Sequence, residues 1–248
     1  MDAARKVVMK FRLLQAREAD ESTAVEERDA FCARLGVPRS ALLPHDLLGG
    51  ENHFDAVTEG VSAVFVGGSG RFGINDDAPW IPSFIDLLGQ LADHGFPTFA
   101  SCFGFQGLCV ALGTQVSSDP ERSEVGTFDL ALTSEGSEDP LFRLLPEQFT
   151  GQQGHKDSAD TLPRGAVLLA RSARCPVQAI RVGGGPVYAT QFHPELTVED
   201  QRLRFTRYFD LYCTVYGQER AQKILDGMRP STAANGLISS FVDLYVSP

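Results

Sequence analysis

Residues 97–107 read PTFASCFGFQG and predict the end of a strand followed at once by the start of a helix. The apolar run leads into Cys102, and a helix is predicted over Phe103–Leu112. A cysteine at a sharp strand-to-helix turn has the arrangement of a nucleophile elbow, which needs small neighbours around a strained backbone. Ala100 and Gly104 stand two residues to either side of Cys102. The stretch therefore predicts a parallel α/β fold with a reactive side chain at one edge of its sheet.

The predicted helix places backbone N–H groups and the positive end of its dipole beside the sulfur of Cys102. Both features favour the thiolate form, which is the nucleophile. A buried core cysteine is the alternative interpretation of any single cysteine. The elbow around Cys102 favours the nucleophile.

A cysteine nucleophile needs a base whose orientation a third group holds. Residues 187–195 read VYATQFHPE, a strand-like run that ends in His193, Pro194 and Glu195. Positions i and i+2 of an extended chain share a face, so the Glu195 carboxylate can fix the tautomer of the His193 ring. A structural histidine is the alternative.

Gly67-Gly68-Ser69-Gly70 directly follows a short apolar run at Ala63–Val66. Glycines at this place let the backbone approach a ligand closely and direct N–H groups at a developing oxyanion. A flexible turn is the alternative.

Short apolar runs alternate with helix-like stretches along the rest of the chain, which is the pattern of an α/β domain. Strands are predicted at Lys6–Leu14, Ala63–Val66, Pro97–Ser101, Gly126–Thr133, Val167–Ser172, Val177–Val182 and Val187–Phe192. Helical stretches are predicted at Ser22–Leu35, Pro82–Gly95, Phe103–Leu112, Val198–Gly217, from Gln218 onward, and at Leu237–Val246. We expect one α/β domain with a central, mostly parallel sheet.

Composition narrows the functional classes. The chain has 248 residues, 43% of them apolar, and a formal net charge of −10. This charge argues against nucleic acid or an anionic membrane as the main partner. Five cysteines without a C-x-x-C pair fit a reducing compartment, and we find no signal peptide, so we expect a cytoplasmic protein. There is no metal-ligand spacing and no phosphate loop, and we expect no cofactor.

The three segments together resemble the class I glutamine amidotransferase family, over roughly Val64 to Phe205. The matching parts are Gly67–Gly70, the elbow Ser101-Cys102-Phe103-Gly104-Phe105-Gln106, and Gln191-Phe192-His193-Pro194-Glu195. The resemblance implies a flavodoxin-like three-layer α/β sandwich and a Cys-His-Glu triad.

The family's functional residues can be carried over to matching positions. The resemblance implies that Cys102 is the nucleophile, His193 the general base and acid, and Glu195 the residue that orients it. It also implies an oxyanion hole made of the backbone N–H groups of Gly68 and Phe103.

Further matching positions concern the substrate. Gln106 matches a residue that helps to bind glutamine. Glu124-Val125-Gly126 resembles the start of a strand whose backbone holds the α-carboxylate and α-amino group of the substrate. Gly154-His155-Lys156-Asp157 resembles a loop that family members carry near the active site, and His155 is a candidate substrate contact.

The chain departs from the usual family pattern at three positions. Ala100 replaces a glycine, Phe105 stands where many members have histidine, and Ser69 replaces the proline of a Gly-Gly-Pro turn. No triad member is lost. The departures indicate a divergent branch and leave the substrate open.

Three functions stay open at this point. The chain is either a glutaminase that supplies ammonia to a separate synthase, a stand-alone hydrolase of γ-glutamyl peptides or amides, or a catalytically silent binding module. We expect residues 1–217 to form the amidotransferase-like domain and 218–248 to form a C-terminal helical extension packed on it. The sequence makes no prediction of the oligomeric state.

Overall fold

The computed structural model describes residues 9–18 and 22–246. Its strands are β1 (Phe11–Ala16), β2 (Leu42–Asp46), β3 (Ala63–Ser69), β4 (Thr98–Ser101), β5 (Val116–Ser118), β6 (Glu124–Leu132), β7 (Gln148–His155), β8 (Asp157–Ala159), β9 (Ala166–Ser172), β10 (Ala179–Val182) and β11 (Val187–Thr190). Its α-helices are α1 (Ser22–Leu35), α2 (Phe54–Thr58), α3 (Ile81–Asp93), α4 (Phe103–Ala111), α5 (Ser134–Glu138), α6 (Val198–Arg207), α7 (Phe209–Tyr216), α8 (Gln218–Asp226), α9 (Thr232–Asn235) and α10 (Leu237–Tyr245). Single 3-10 turns lie at Arg39–Ala41 and Phe142–Leu144.

A nine-stranded sheet forms the centre of the fold, in the order β2-β1-β3-β4-β11-β10-β9-β6-β7. The strands from β2 to β11 pair in parallel, whereas those from β11 to β7 pair antiparallel. Strands β5 and β8 form a separate antiparallel pair. The expected sheet, parallel at its core, is confirmed.

Alternate side chains of β3 show why the domain has three layers. Val64 and Val66 pack in the hydrophobic cluster that contains α3 and α4. Phe65, between them, packs in the opposite cluster with Phe31 of α1 and Phe241 of α10. Because successive side chains of a strand point to opposite faces, this apolar run needs a helical layer on each side. The predicted three-layer sandwich is confirmed.

Several predicted elements are displaced or divided in the structure. The strand predicted at Lys6–Leu14 is β1, Phe11–Ala16, and residues 6–8 lie outside the described part of the chain. The helical stretch predicted over Val198–Gly217 is two helices, α6 and α7, separated at Tyr208.

Four apolar residues of these two helices, Leu203, Phe205, Phe209 and Leu211, differ in burial. Phe205 is buried, whereas Leu203 and Leu211 are 54% and 59% exposed. These two leucines therefore lie outside the core.

The C-terminal helices pack on the same sheet. Leu237, Ile238 and Phe241 of α10 are buried in the cluster that covers the α1 face. Leu244 of the same helix is 44% exposed. Ala221 of α8 packs in a separate small cluster with Val198 and Phe205 of α6.

Gly104 and Gly89 give a matched test of the packing of α4 on the sheet. A Cβ added at Gly104 would lie 2.7 Å from Cγ1 of Val66, whereas one added at Gly89 of α3 would meet Cβ of Ala111 at 3.9 Å. We expect Gly104→Ala to lower the free energy of unfolding by about 1–3 kcal/mol, because the helix must move off the sheet. Gly89→Ala should raise it by up to about 1 kcal/mol through helix propensity. Urea unfolding of both variants measures this, and equal stability would contradict the packing argument.

Candidate active site

Cys102 lies at the junction of β4 and α4 in a strained conformation, with φ 49° and ψ −100°. Among the described residues it is the one non-glycine residue with positive φ. Its backbone N–H donates to the carbonyl of Thr190 at 2.8 Å, which ties the junction to the end of β11. The strained turn therefore places the Cys102 side chain at the carboxyl edge of the parallel strands.

His193 and Glu195 reach the same edge because β11 pairs in parallel with β4, with Thr190 beside Ser101. Nδ1 of His193 lies 2.6 Å from Oε1 of Glu195, and both side chains are buried. The Cys102 side chain lies close enough to His193 to raise the pKa of the imidazole. The three predicted triad residues are therefore neighbours at this edge, with the imidazole next to both the sulfur and the carboxylate.

The electrostatics of this group keep a proton on the imidazole. Burial disfavours the charged ring, but the Glu195 carboxylate and the Cys102 sulfur outweigh it and raise the pKa of His193 to about 10. Burial also opposes ionisation of Glu195, but the adjacent His193 holds the pKa of that carboxyl below its usual value. His193 and Glu195 thus form a buried ion pair at neutral pH.

Gly68 of strand β3 lies next to Cys102 and His193. A Cβ added at Gly68 would lie 2.9 Å from Cε1 of His193 and 3.8 Å from Cβ of Cys102. The backbone of β3 therefore approaches the site at a distance that only glycine permits. Phe103 follows Cys102 as the first residue of α4, where N–H groups have no acceptor within the helix.

A buried ion pair that sequence reasoning missed lies against the glycine turn. Nη2 of Arg17 and Oε1 of Glu27 are 3.0 Å apart, and both side chains are almost wholly buried. A Cβ at Gly67 would lie 2.6 Å from the Glu27 carboxylate, and one at Gly70 would lie 2.7 Å from Nη1 of Arg17. Arg17 directly follows β1 and Glu27 lies on α1, far along the chain from the turn, so no local pattern indicated them.

A cavity of about 370 Å³ opens at Cys102. We call this cavity the nucleophile compartment. Among the predicted substrate-binding residues, Gln106, Val125 and His155 line it. Residues Leu211 and Tyr212 of α7 form another part of its wall. No sequence pattern indicated this wall, because a helix distant in sequence covers the edge of the sheet.

Gln106 lies on the first turn of α4 and is turned away from open solvent. Its amide Nε2 donates to the backbone carbonyl of Asp157 at 2.8 Å and to Oε1 of Gln191 at 3.4 Å. Gln191 in turn directs its Nε2 at the Cys102 sulfur, 3.8 Å away. No role was predicted for Gln191, although it stands two residues before His193 in the motif. Two glutamine amides thus connect the nucleophile to the chain at Asp157.

Glu124 and His155 support each other within the protein. The Glu124 carboxylate accepts from Ser172 at 2.6 Å and from Gln178 at 2.6 Å, and it lies 3.1 Å from Nε2 of His155. Nδ1 of His155 lies 3.1 Å from the carbonyl of Asp157. Both ring nitrogens of His155 are therefore engaged by protein atoms.

Gly126 lies on the side of β6 that faces α8, because a Cβ added there would be 3.2 Å from Cγ2 of Ile224. The segment Gly154–Asp157, predicted as a loop, is the end of β7 and the start of β8. Of the three residues 124–126, only Val125 lines the nucleophile compartment.

Two features are absent from the part of the chain that the structure describes. No group of three or more His, Cys, Asp or Glu side chains in residues 9–18 and 22–246 is placed to hold a metal ion. No helix in these ranges is both long and apolar enough to cross a membrane.

Known proteins are similar in sequence to part of this chain. GMP synthase [glutamine-hydrolyzing] of Thermosipho africanus is 33% identical over 136 residues, which are 55% of this chain and 24% of that protein. This chain thus matches about a quarter of the length of that curated relative. A GMP synthase [glutamine-hydrolyzing] subunit of Thermoplasma volcanium is 33% identical over 161 residues, 62% of this chain and 75% of the relative.

The fold has solved counterparts as well. A glutamine amidotransferase of Thermotoga maritima superposes with a TM-score of 0.71 at 21% identity, over 97% of this chain and 99% of that one. This likeness supports the flavodoxin-like sandwich. The family model for class-I glutamine amidotransferases matches residues 51–211, which include the glycine turn, the cysteine elbow and the His-Pro-Glu segment. The chain therefore belongs to the class I glutamine amidotransferase family.

Proposed function

We propose that this chain hydrolyses the γ-carboxamide of glutamine through a thioester on Cys102. The observation that carries the proposal is the strained Cys102 beside the buried His193–Glu195 pair. Cys102 is the nucleophile, His193 is the general acid and base, and Glu195 orients the imidazole.

The proposed reaction has two halves. The Cys102 thiolate attacks the γ-carbonyl carbon, and the tetrahedral intermediate collapses as His193 gives its proton to the leaving nitrogen. The carbon–nitrogen bond breaks, and ammonia leaves. His193 then takes a proton from water, whose oxygen attacks the thioester carbonyl. The carbon–sulfur bond then breaks, glutamate is released, and Cys102 is again a thiolate beside the protonated imidazole of His193.

The oxyanion of each intermediate needs donors that are fixed before the reaction. We assign this role to the backbone N–H groups of Gly68 and Phe103, on the two sides of Cys102. Gly68 lies against the His193 ring, and Phe103 opens helix α4. Loss of one such donor typically lowers kcat by about 10²–10³.

The γ-glutamyl group is proposed to occupy the nucleophile compartment. Gln106 and the backbone at Val125 line it and are assigned to substrate binding. Glu124, Gly126 and His155 complete the predicted set. Because the Glu124 and His155 side chains bond to protein groups, their proposed part is to hold the strand ends that carry Val125.

Ammonia is proposed to pass to a separate acceptor enzyme. The support is that the relative in Thermoplasma volcanium is named as one subunit of a glutamine-hydrolysing GMP synthase. A stand-alone γ-glutamyl peptide or amide hydrolase is the alternative, and it uses the same triad. A silent binding module is the second alternative, and the intact Cys102, His193 and Glu195 argue against it.

Glutamate release by the purified chain separates these functions. L-Glutamine and a γ-glutamyl dipeptide are incubated with the chain alone. Release from glutamine supports the proposed activity, and fast release from the dipeptide with little from glutamine favours the hydrolase. Release from neither, with no alkylation of Cys102 by a γ-glutamyl electrophile, contradicts both enzymatic functions.

Cys102→Ala is expected to reduce glutamate release to the uncatalysed level, because no other group can form the thioester. Its far-ultraviolet circular dichroism and urea midpoint should match those of the parent chain. Cys213→Ala, on helix α7, serves as the matched control and should retain activity. Undiminished release by Cys102→Ala would refute the assignment of the nucleophile.

The raised pKa of His193 gives a stability prediction with a definite sign. Its folded value of about 10 exceeds the ordinary 6.5, so the folded chain binds an extra proton between these pH values. The contribution of His193 to stability is complete below pH 6.5 and declines as pH rises toward 10. The contribution of Glu195, whose pKa is lowered, is present at neutral pH and is lost in acid as the carboxylate takes up a proton.

We therefore expect the parent chain to exceed His193→Gln in free energy of unfolding at pH 6.5. The difference should shrink steadily between pH 6.5 and about 10. Urea unfolding of both proteins at several pH values measures it. A difference that stays constant or grows with pH would contradict the ion pair.

A further inference from the structure

A second cavity, of about 440 Å³, lies beside the nucleophile compartment. The two cavities share four lining residues, which are Val125, Lys156, Val215 and Tyr216. Val215 is 62% exposed, so the shared rim is open to solvent. Each cavity alone falls in the roughly 300–1,000 Å³ range of small-molecule sites. Together they can hold a substrate larger than glutamine.

The second cavity, which we call the cationic compartment, is defined by Lys156, Arg174 and Arg220. No aspartate or glutamate is among its lining residues. The chain as a whole carries a net charge of −10, so the positive charge of this wall is opposite in sign to the net charge of the chain. Such a wall concentrates anions at the mouth of the site.

The three cations are not neutralised by the protein. None of them forms an ion pair with a carboxylate in the described part of the chain. Arg174 donates its Nε to the backbone carbonyl of Glu121 at 3.1 Å, which orients the guanidinium and uses one donor. The Arg220 guanidinium lies over the Tyr216 ring, 5.1 Å from its centroid. Both arginines are thus positioned, with N–H donors left for a ligand.

We infer that the cationic compartment is a carboxylate subsite for the γ-glutamyl substrate, an inference that rests on the proposed function. Planar guanidinium groups match the geometry of a carboxylate and bind it more specifically than an ammonium does. The carboxylate has two possible sources. One is the α-carboxylate of the γ-glutamyl group, which reaches the cationic compartment across the shared rim at Val125, and the other is a carboxylate on the leaving group.

Four substrates distinguish the sources. L-Glutamine and γ-glutamylmethylamide carry only the α-carboxylate, and glutamine α-methyl ester carries none. γ-Glutamylglycine carries a second carboxylate on its leaving group. Each is assayed with the parent chain and with Arg174→Gln and Arg220→Gln. Arg171→Gln, on strand β9, is the matched control, because it removes the same charge three residues before Arg174 and lines neither cavity.

The arginine variants should raise KM about ten-fold and leave kcat nearly unchanged, since the lost contact binds substrate and transition state alike. If the subsite holds the α-carboxylate, the loss appears with every substrate except the methyl ester. If it holds the leaving-group carboxylate, the loss is confined to γ-glutamylglycine. In both cases, added salt should weaken the parent chain's preference for the carboxylate-bearing substrate.

Binding measurements separate failure of this inference from failure of the proposed function. Isothermal calorimetry with L-glutamate and γ-glutamylglycine is run on the parent chain and the three arginine variants. Arginine-dependent binding without turnover would overturn the proposed function and keep the subsite. Turnover or binding that is the same in Arg174→Gln, Arg220→Gln and Arg171→Gln would overturn the subsite. An acidic protein segment would then be the better candidate for this wall.

Discussion

The left-handed backbone at Cys102 is the constraint to which the rest of the site conforms. A non-glycine residue in this conformation costs about 1–3 kcal/mol, so its surroundings must hold it in place. Gly104 and Gly107 let helix α4 pack directly on Val66 of the sheet and on Phe84 of α3. The buried side chains of α4 thereby stabilise a turn that the isolated segment would not adopt. Tight packing beneath Cys102 therefore holds the residue at the cavity that is proposed to bind substrate.

The site also depends on the charges around Glu195. Glu195 is fully buried, and its Oε2 has no hydrogen-bond partner in the described part of the chain. The same is true of Nη2 of Arg204 on helix α6, and the charge of Arg204 lowers the pKa of Glu195. The carboxylate thus pairs with His193, and the charge of Arg204 also favours its ionised form. An isolated buried carboxylate would be protonated, so these two cations keep Glu195 in the charged form that its proposed role requires.

Local sequence predicted the parts of the fold and site that local forces determine. Helix α1 has the bounds that its sequence indicates, and the Cys102 elbow follows from a strand, a small residue and a helix in succession. Strand β2, at one edge of the sheet, was not predicted because Pro44 and two polar residues interrupt its apolar pattern. Strand β7, at the other edge, was not predicted because its buried positions include glutamines. Contacts between distant segments have no local signal. The Arg17–Glu27 pair meets the glycine turn only after β1 and β3 are side by side.

The net charge of the chain gave the least information about the site, because it sums the charges of surfaces that have separate roles. Helices α7 and α8 contribute Tyr216 and Arg220 to the cationic compartment, whereas the elbow and the His-Pro-Glu segment carry the proposed chemistry. The reacting groups and the walls proposed to select the substrate therefore come from different parts of the chain. Sequence change in α7 and α8 is therefore expected to alter which γ-glutamyl compounds the proposed site binds and to leave the strained turn at Cys102 intact. This separation explains how a chain can keep the three proposed triad residues and still diverge in its proposed substrate.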